Sequence, residues 1–510
     1  MEQTEKDEPN WDEKQVESMS DNLDIQMEVT NDILPIVESS NQEDVVERQK
    51  EMAIEETLLN VADSGPNSPL AEDEEVLLEE NKATVDEGTE LLEHKDNLTN
   101  GTIEDANPPP PAEIMDYEID METKSATYEQ DFFQALTACE VGRCSWDRAE
   151  KQNYVRGCLW SPDGTCVLAA VNGDGMHVLE LPADMYEAQQ ISTERPVQLL
   201  DSAVHVRETT LVYDYKWYPG MQSSMPETSV WIASRQHEPI QMWDAYTGKL
   251  RCSYKGYNAV DEVEAALSIT WSLDGGFIFG GYKKSIKMFD VKTPGREISS
   301  FPTKVTASCM TMCSPLPNLL IFGSWSRSIT ALATNSNQTT IPVGNNSREC
   351  SHNAGVTWLR FIPRTNLFVS GGRKDPKLLV WDIRRLDRPY HVLQRTCDTN
   401  QRVYFDSSPY GEWVVTGNTD GVVRAWNLMD VETERKTYRQ YNFPLHRDCC
   451  NGVAFHPFKP IIATASGQHH FPPAEEFSEE QTLPSDAGQS NKVENSLTMW
   501  WVGAVNVSEQ

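Results

Sequence analysis

The first 120 residues hold almost nothing from which a core could be built: two aromatics, Trp11 and Tyr117, and 6 basic residues against 36 acidic ones. Chain so poor in apolar side chains and so rich in one sign of charge cannot offset the entropy of ordering, so an acidic disordered tail is expected here. Met1 is followed by acidic residues rather than by a basic stretch and an apolar run, so no signal peptide is expected. No apolar run approaches the length of a membrane span, and no membrane partner is expected. The 11 cysteines are scattered, odd in number and without a Cys-x-x-Cys pair. A chain this large does not need a disulfide framework, so a reducing cytosol or nucleus fits best.

Catalytic signatures are missing as well. There is no G-x-x-x-x-G-K-[ST] phosphate loop, no H-E-x-x-H and no G-x-S-x-G elbow. Cys309 and Cys313 lack a second ligand pair, Cys449 and Cys450 are adjacent, and His469-His470 near Glu475 and Glu476 reads as a solvated loop. No catalytic residue, cofactor or metal is expected.

What is present begins near Tyr154. Residues 121–510 carry 43 acidic and 37 basic residues, so the acidity belongs to the front of the chain. Short stretches rich in Val, Ile, Phe and Trp alternate with turn residues, as strands do. One recurring element is an aromatic before a turn: Trp160-Ser-Pro-Asp-Gly, Trp217-Tyr-Pro-Gly, Trp271-Ser-Leu-Asp-Gly, Phe361-Ile-Pro and Phe455-His-Pro. A second closes a later strand: Trp243-Asp244, Phe289-Asp290, Trp381-Asp382, Trp426-Asn427 and the displaced variant Trp500-Trp501. The copies read 157–181, 212–248, 266–295, 307–333, 354–384, 402–428 and 451–502, the first and fourth being the weakest. A period of about 45 residues is that of a propeller whose four-stranded blades bury their faces only by stacking.

The expected fold is therefore all-β, a seven-bladed WD-repeat β-propeller preceded by a disordered acidic N-terminal tail. Expected boundaries are a tail over 1–130, the propeller over 131–502 and a short C-terminal tail over 503–510. Within the propeller, 131–150 supplies a ring-closing strand, from about Phe132 to Ser145, that removes an exposed sheet edge. The Glu- and Pro-bearing stretch 468–495 reads as a loop inserted between two strands of the last blade.

The turn between the second and third strand of a WD-type blade ordinarily carries Asp or Asn, as Asn172-Gly-Asp174 and Asn418-Thr-Asp420 do. In four consecutive blades basic residues stand there instead: Arg235, Lys283-Lys284, Arg327 and Arg373-Lys374. Tyr282 and Trp325 sit among them, and Arg402 and Tyr404 enter the sixth blade from the same side. A cationic arc with interleaved aromatics suits single-stranded nucleic acid, charge for phosphates and flat faces for unpaired bases. Exposed turns also tolerate Lys and Arg without any ligand, and the folded part is slightly acidic, so the pattern alone leaves both readings open.

The segments VYDYKWYPG (212–220), DAYTGKLRCSYKGYN (244–258), GGRKDPKLLVWDIR (371–384), TNQRVYFDSSPYGEWVVTG (399–417) and NGVAFHPFKPIIATASGQ (451–468) resemble the telomerase Cajal body protein family. The resemblance implies a nuclear, Cajal-body protein that binds the CAB-box loop of box H/ACA small Cajal-body RNAs, and of telomerase RNA where that RNA carries the element. Its implied partners are these RNAs, the telomerase ribonucleoprotein and Cajal-body proteins. Positions matching the family include Arg235, His352, Arg373, Lys374, Gln401-Arg402, Tyr404, Gly417, Asn451-Gly452 and Gln468. Arg235, Arg373, Lys374 and Arg402 are assigned to RNA contacts and Tyr404 to base stacking, whereas Gly417 and His352 are read as structural. Lys283, Lys284 and Trp325 rest on the arc alone. The competing reading is a protein-binding scaffold whose acidic tail, with Ser68-Pro69 as a phosphorylation-type site, serves as a regulated docking segment.

Overall fold

The computed structural model describes residues 132–133, 136–146, 152–207, 210–334, 338–345, 347, 350–432, 437–470 and 493–506. The expected tail, Ser68, residues 147–150, most of the 468–495 insertion and residues 507–510 lie outside them.

Among the described residues seven blade sheets follow one another along the chain; six are antiparallel and run in chain order from inside to outside, and the seventh joins both ends of the fold and carries the short parallel strand Gln198–Leu199 beyond them. Blade one is built of Val155–Trp160, Cys166–Val171, Gly175–Glu180 and Val204–Arg207. Blade two follows with Val212–Trp217, Val230–Arg235, Ile240–Asp244 and Leu250–Tyr254. Blades three to six begin with the inner strands Ser268–Trp271, Ala307–Cys313, Val356–Phe361 and Phe405–Ser407. The seventh blade takes Cys450–Phe455, Ile461–Ser466 and Ser496–Trp501 from the end of the chain and its outer strand, Cys139–Ser145, from the front. Cys139 pairs with Trp501 and Ser145 with Ser496, so the two ends of the fold close the ring within one sheet. Phe133 fastens the approach to that strand: its N–H donates to the Val502 carbonyl at 2.8 Å, and its ring stacks on Phe443 with centroids 4.9 Å apart.

Strands buried on both faces read as near-continuous apolar runs because each is covered by the blades on either side. Every residue of Cys166–Val171, Val230–Arg235, Cys450–Phe455 and Ile461–Ser466 is buried. The repeating aromatics fill the wedges between blades, with Trp381, Trp501 and Phe289 fully covered. At the inner strands, side chains stitch each blade to the next. Arg156 donates to the Val212 carbonyl, Ile269 N–H donates to Asp214, and Ser268 donates to the Ala307 carbonyl. Ser308 donates to the Val356 carbonyl, Trp358 Nε1 to the Phe405 carbonyl, Phe455 N–H to Asp406, and Asn451 to the Val155 carbonyl. That chain of bonds runs through all seven junctions and satisfies polar groups that the stacking of the blades buries.

Two blades carry a further lock. In the fifth, His352 bonds Asp375 at 2.6 Å and Ser370 at 2.8 Å, and Trp381 Nε1 donates to the same Ser370 hydroxyl. In the seventh, His446 bonds Glu494 and Thr464, each at 2.7 Å, and Trp500 Nε1 donates to Thr464. Gly417 is glycine for lack of room, since a Cβ there would lie 2.2 Å from the Cys450 carbonyl oxygen.

Candidate nucleic-acid interface

Because every blade runs in the same sense, the turns joining second to third strands and the loops entering each inner strand share one face. At the centre of that face a recess opens to solvent. Its wall includes Arg156, Tyr213, Trp325, Arg373, Asn400, Gln401, Arg402 and Tyr404. The sequence reading found Trp325, Arg373, Gln401, Arg402 and Tyr404. It missed Arg156, Tyr213 and Asn400, although Arg156 follows from strand alternation once Val155 is known to point into the blade stack.

The turns of blades three, four and five share a backbone feature. Lys284, Arg327 and Lys374 hold φ of 59°, 71° and 47°, the left-handed region that L side chains avoid. Glycine occupies that region in the corresponding turns of blades one and six, at Gly173 and Gly421. A basic side chain thus stands in three successive blades where the backbone favours glycine by about 1 kcal/mol. Lys283, Lys284, Arg327 and Lys374 are exposed.

Two residues assigned to RNA contacts are placed otherwise. Arg235 is buried, bonded to Gln241 in its own blade with its guanidinium 5.2 Å above the Trp243 ring, and burial lowers its pKa. It lies at the end of a strand enclosed on both faces, so its side chain packs into the blade instead of rising from the rim. Tyr404 is 5% exposed; its ring meets Trp358 edge-on at 4.5 Å and fills the space left by Gly157, where a Cβ would sit 2.5 Å away. A base has no face of that ring to stack on, so Tyr404 is corrected from a stacking platform to a packing residue. Tyr282 is likewise fully buried.

Arg402 spans the recess floor. It donates to the Ser308 carbonyl at 3.2 Å, stands 3.5 Å from the Asp214 carboxylate and reaches the Tyr404 hydroxyl at 3.5 Å. Burial disfavours its charge, but Tyr404 and Asp214 more than restore it, and its pKa is raised. Lys216 completes the group, 3.5 Å from Asp214 and 3.9 Å from the Trp358 ring centre, its pKa lowered by burial. Arg373 is buried along the recess wall, and Gln401 carries a buried Oε1 that meets no donor. Gln468 donates to Asp448 at 2.7 Å on the seventh blade.

An array of ringed blades with a charged mouth defines a WD-repeat propeller, and residues 344–382 and 392–427 match the family described as WD domain, G-beta repeat. The chain is 43% identical over 403 residues to the telomerase Cajal body protein 1 homolog of Drosophila melanogaster, covering 75% of this chain and 72% of that one. It is 35% identical over 418 residues to telomerase Cajal body protein 1 of Mesocricetus auratus, covering 79% and 76%, and 36% identical over 371 residues to that of Homo sapiens, covering 70% and 66%. The chain belongs to the telomerase Cajal body protein 1 family. Among the described residues no helix is long and apolar enough to cross a membrane.

Proposed function

We propose that this propeller is a non-enzymatic RNA-binding adaptor whose basic rim holds an unpaired loop, the CAB-box loop of box H/ACA small Cajal-body RNAs. Telomerase RNA is a client where it carries that element. In this reading the protein carries its particles to Cajal bodies in the nucleus and supports telomerase recruitment to telomeres, alongside the resident proteins of those bodies.

The observation that carries the reading is the run of left-handed basic residues Lys284, Arg327 and Lys374 beside the recess. Strained backbone concentrates where function requires a particular side chain. Lys283, Lys284, Arg327 and Lys374 serve the phosphates, and Trp325 at the mouth offers a ring to a base, with Arg373 and Gln401 lining the wall behind it. Arg402 acts behind them, holding the floor. The test is ultraviolet crosslinking in cells with sequencing of the bound RNA. A narrow set of small RNAs, crosslinked within a terminal loop, supports the reading; recovery of no defined set contradicts it.

A further inference from the structure

Away from the recess, the turn of blade one brings together two imidazoles and a carboxylate. His177 and His205 are register partners on the third and fourth strands, and their rings stack with centroids 4.1 Å apart and planes 18° apart. Asp174, in the turn just before, sends its Oδ2 to 3.2 Å from His177 Nε2 and 3.8 Å from His205 Nε2. The donor atoms all lie within 4.8 Å of one another. Ligands about 2.0–2.2 Å from a tetrahedral zinc ion lie about 3.3 Å apart, so modest side-chain rotation closes this set around one ion.

The second observation is the state of His177. It is 3% exposed, yet its Nε2 makes no hydrogen bond; the Asp174 oxygen stands near but out of line. Its other nitrogen, Nδ1, pairs with Ser202 Oγ at 2.8 Å, and Trp146 packs edge-on against the ring at 5.0 Å. With Ser202 accepting from Nδ1–H, Nε2 keeps its lone pair close to the other two groups, the tautomer a metal requires, and rotation of the stacked rings would have to bring the three donors into convergence. His205 is exposed and its Nε2 pairs with the Asp174 carbonyl at 2.9 Å; moving its proton to Nδ1 frees that nitrogen to ligate.

We propose that Asp174, His177 and His205 form a divalent transition-metal site, zinc by ligand class, with a fourth position open to solvent. The ion clips the turn of blade one to its two outer strands. It also places positive charge on the rim that carries Lys284, Arg327 and Lys374. The site stands independently of the RNA reading.

The experiment uses the full chain after removal of adventitious metal, titrated with zinc chloride by calorimetry and with cobalt(II) by absorption spectroscopy. The expected result is one saturable site at micromolar zinc, with a tetrahedral cobalt spectrum free of thiolate charge-transfer bands. His205→Ala and Asp174→Asn, both at solvent-accessible positions, are expected to weaken binding beyond the about 10–100-fold that loss of an outer-shell partner costs, with circular dichroism unchanged. Absence of saturable binding, thiolate bands in the cobalt spectrum, or full affinity in the two folded variants overturns the proposal.

Discussion

Arg402 of the sixth blade donates to the Ser308 carbonyl of the fourth at 3.2 Å, so one guanidinium braces the ring across its axis. The same group faces Asp214 of the second blade, whose carboxylate is 2% exposed. Arg402→Ala removes a charged hydrogen bond and leaves the buried Asp214 with the Lys216 ion pair and the backbone N–H groups of Ile269 and Tyr215. A loss of about 2 kcal/mol or more in urea unfolding is expected. Arg402→Lys keeps the charge but not the fork, and is expected to recover only part of the loss.

Glycine at the left-handed turn positions separates fold from function. Lys284→Gly, Arg327→Gly and Lys374→Gly each relieve backbone strain and are expected to leave stability unchanged or raise it by up to about 1 kcal/mol. Each is also expected to weaken binding of a single-stranded loop RNA. Thermal unfolding and filter binding on the same three variants read both quantities. Variants that lose stability without losing affinity would make these side chains part of the scaffold.

Acid sensitivity should reach the seventh blade early. His456 Nε2–H donates to the Gly164 carbonyl at 2.9 Å while Nδ1 accepts the N–H groups of Phe458 and Lys459, each at 3.0 Å. That neutral tautomer is fully committed, and burial pushes the pKa down to about 3 from an ordinary 6.5. Because the folded form resists a proton that the unfolded chain accepts below pH 6.5, the stabilisation is whole above that pH. It is lost progressively as the pH falls toward 3. Glu494 adds a second window: burial opposes its charge, but His446, the Arg447 N–H and Ser496 hold its pKa down to about 2 from 4.5. Its contribution is present above pH 4.5 and disappears between 4.5 and 2. Denaturant midpoints measured from pH 7 to 3 should fall throughout, and His456→Gln should flatten the upper part of the curve.

The ring was legible because its blades repeat: Trp381-Asp382 and Trp426-Asn427 mark the same strand end, and the aromatic-turn element marks another. Which turn residues face solvent was much less so. Arg235 and Lys374 look alike as basic residues beside a turn, yet one closes an enclosed strand and the other holds the tip, and a shift of one position reverses the side chain. Tyr404 sits next to Arg402 in sequence, but only the absent side chain of Gly157, nearly 250 residues away, shows that its ring is taken up by packing. Glu494 meets His446 across the inserted segment, and His177 meets His205 only through strand register. Pairings of that kind depend on the ring and cannot be read from spacing.

The central claim is that the rim cations meet phosphates. It is tested most directly by the affinity of the full chain for a CAB-box loop RNA across a series of salt concentrations. With about four phosphate contacts the log–log slope should be near −3. The quadruple variant Lys283→Glu, Lys284→Glu, Arg327→Glu, Lys374→Glu should bind far more weakly while keeping its fold by circular dichroism. A wild-type affinity indifferent to salt, or a folded variant that binds as tightly as the wild type, would contradict the account.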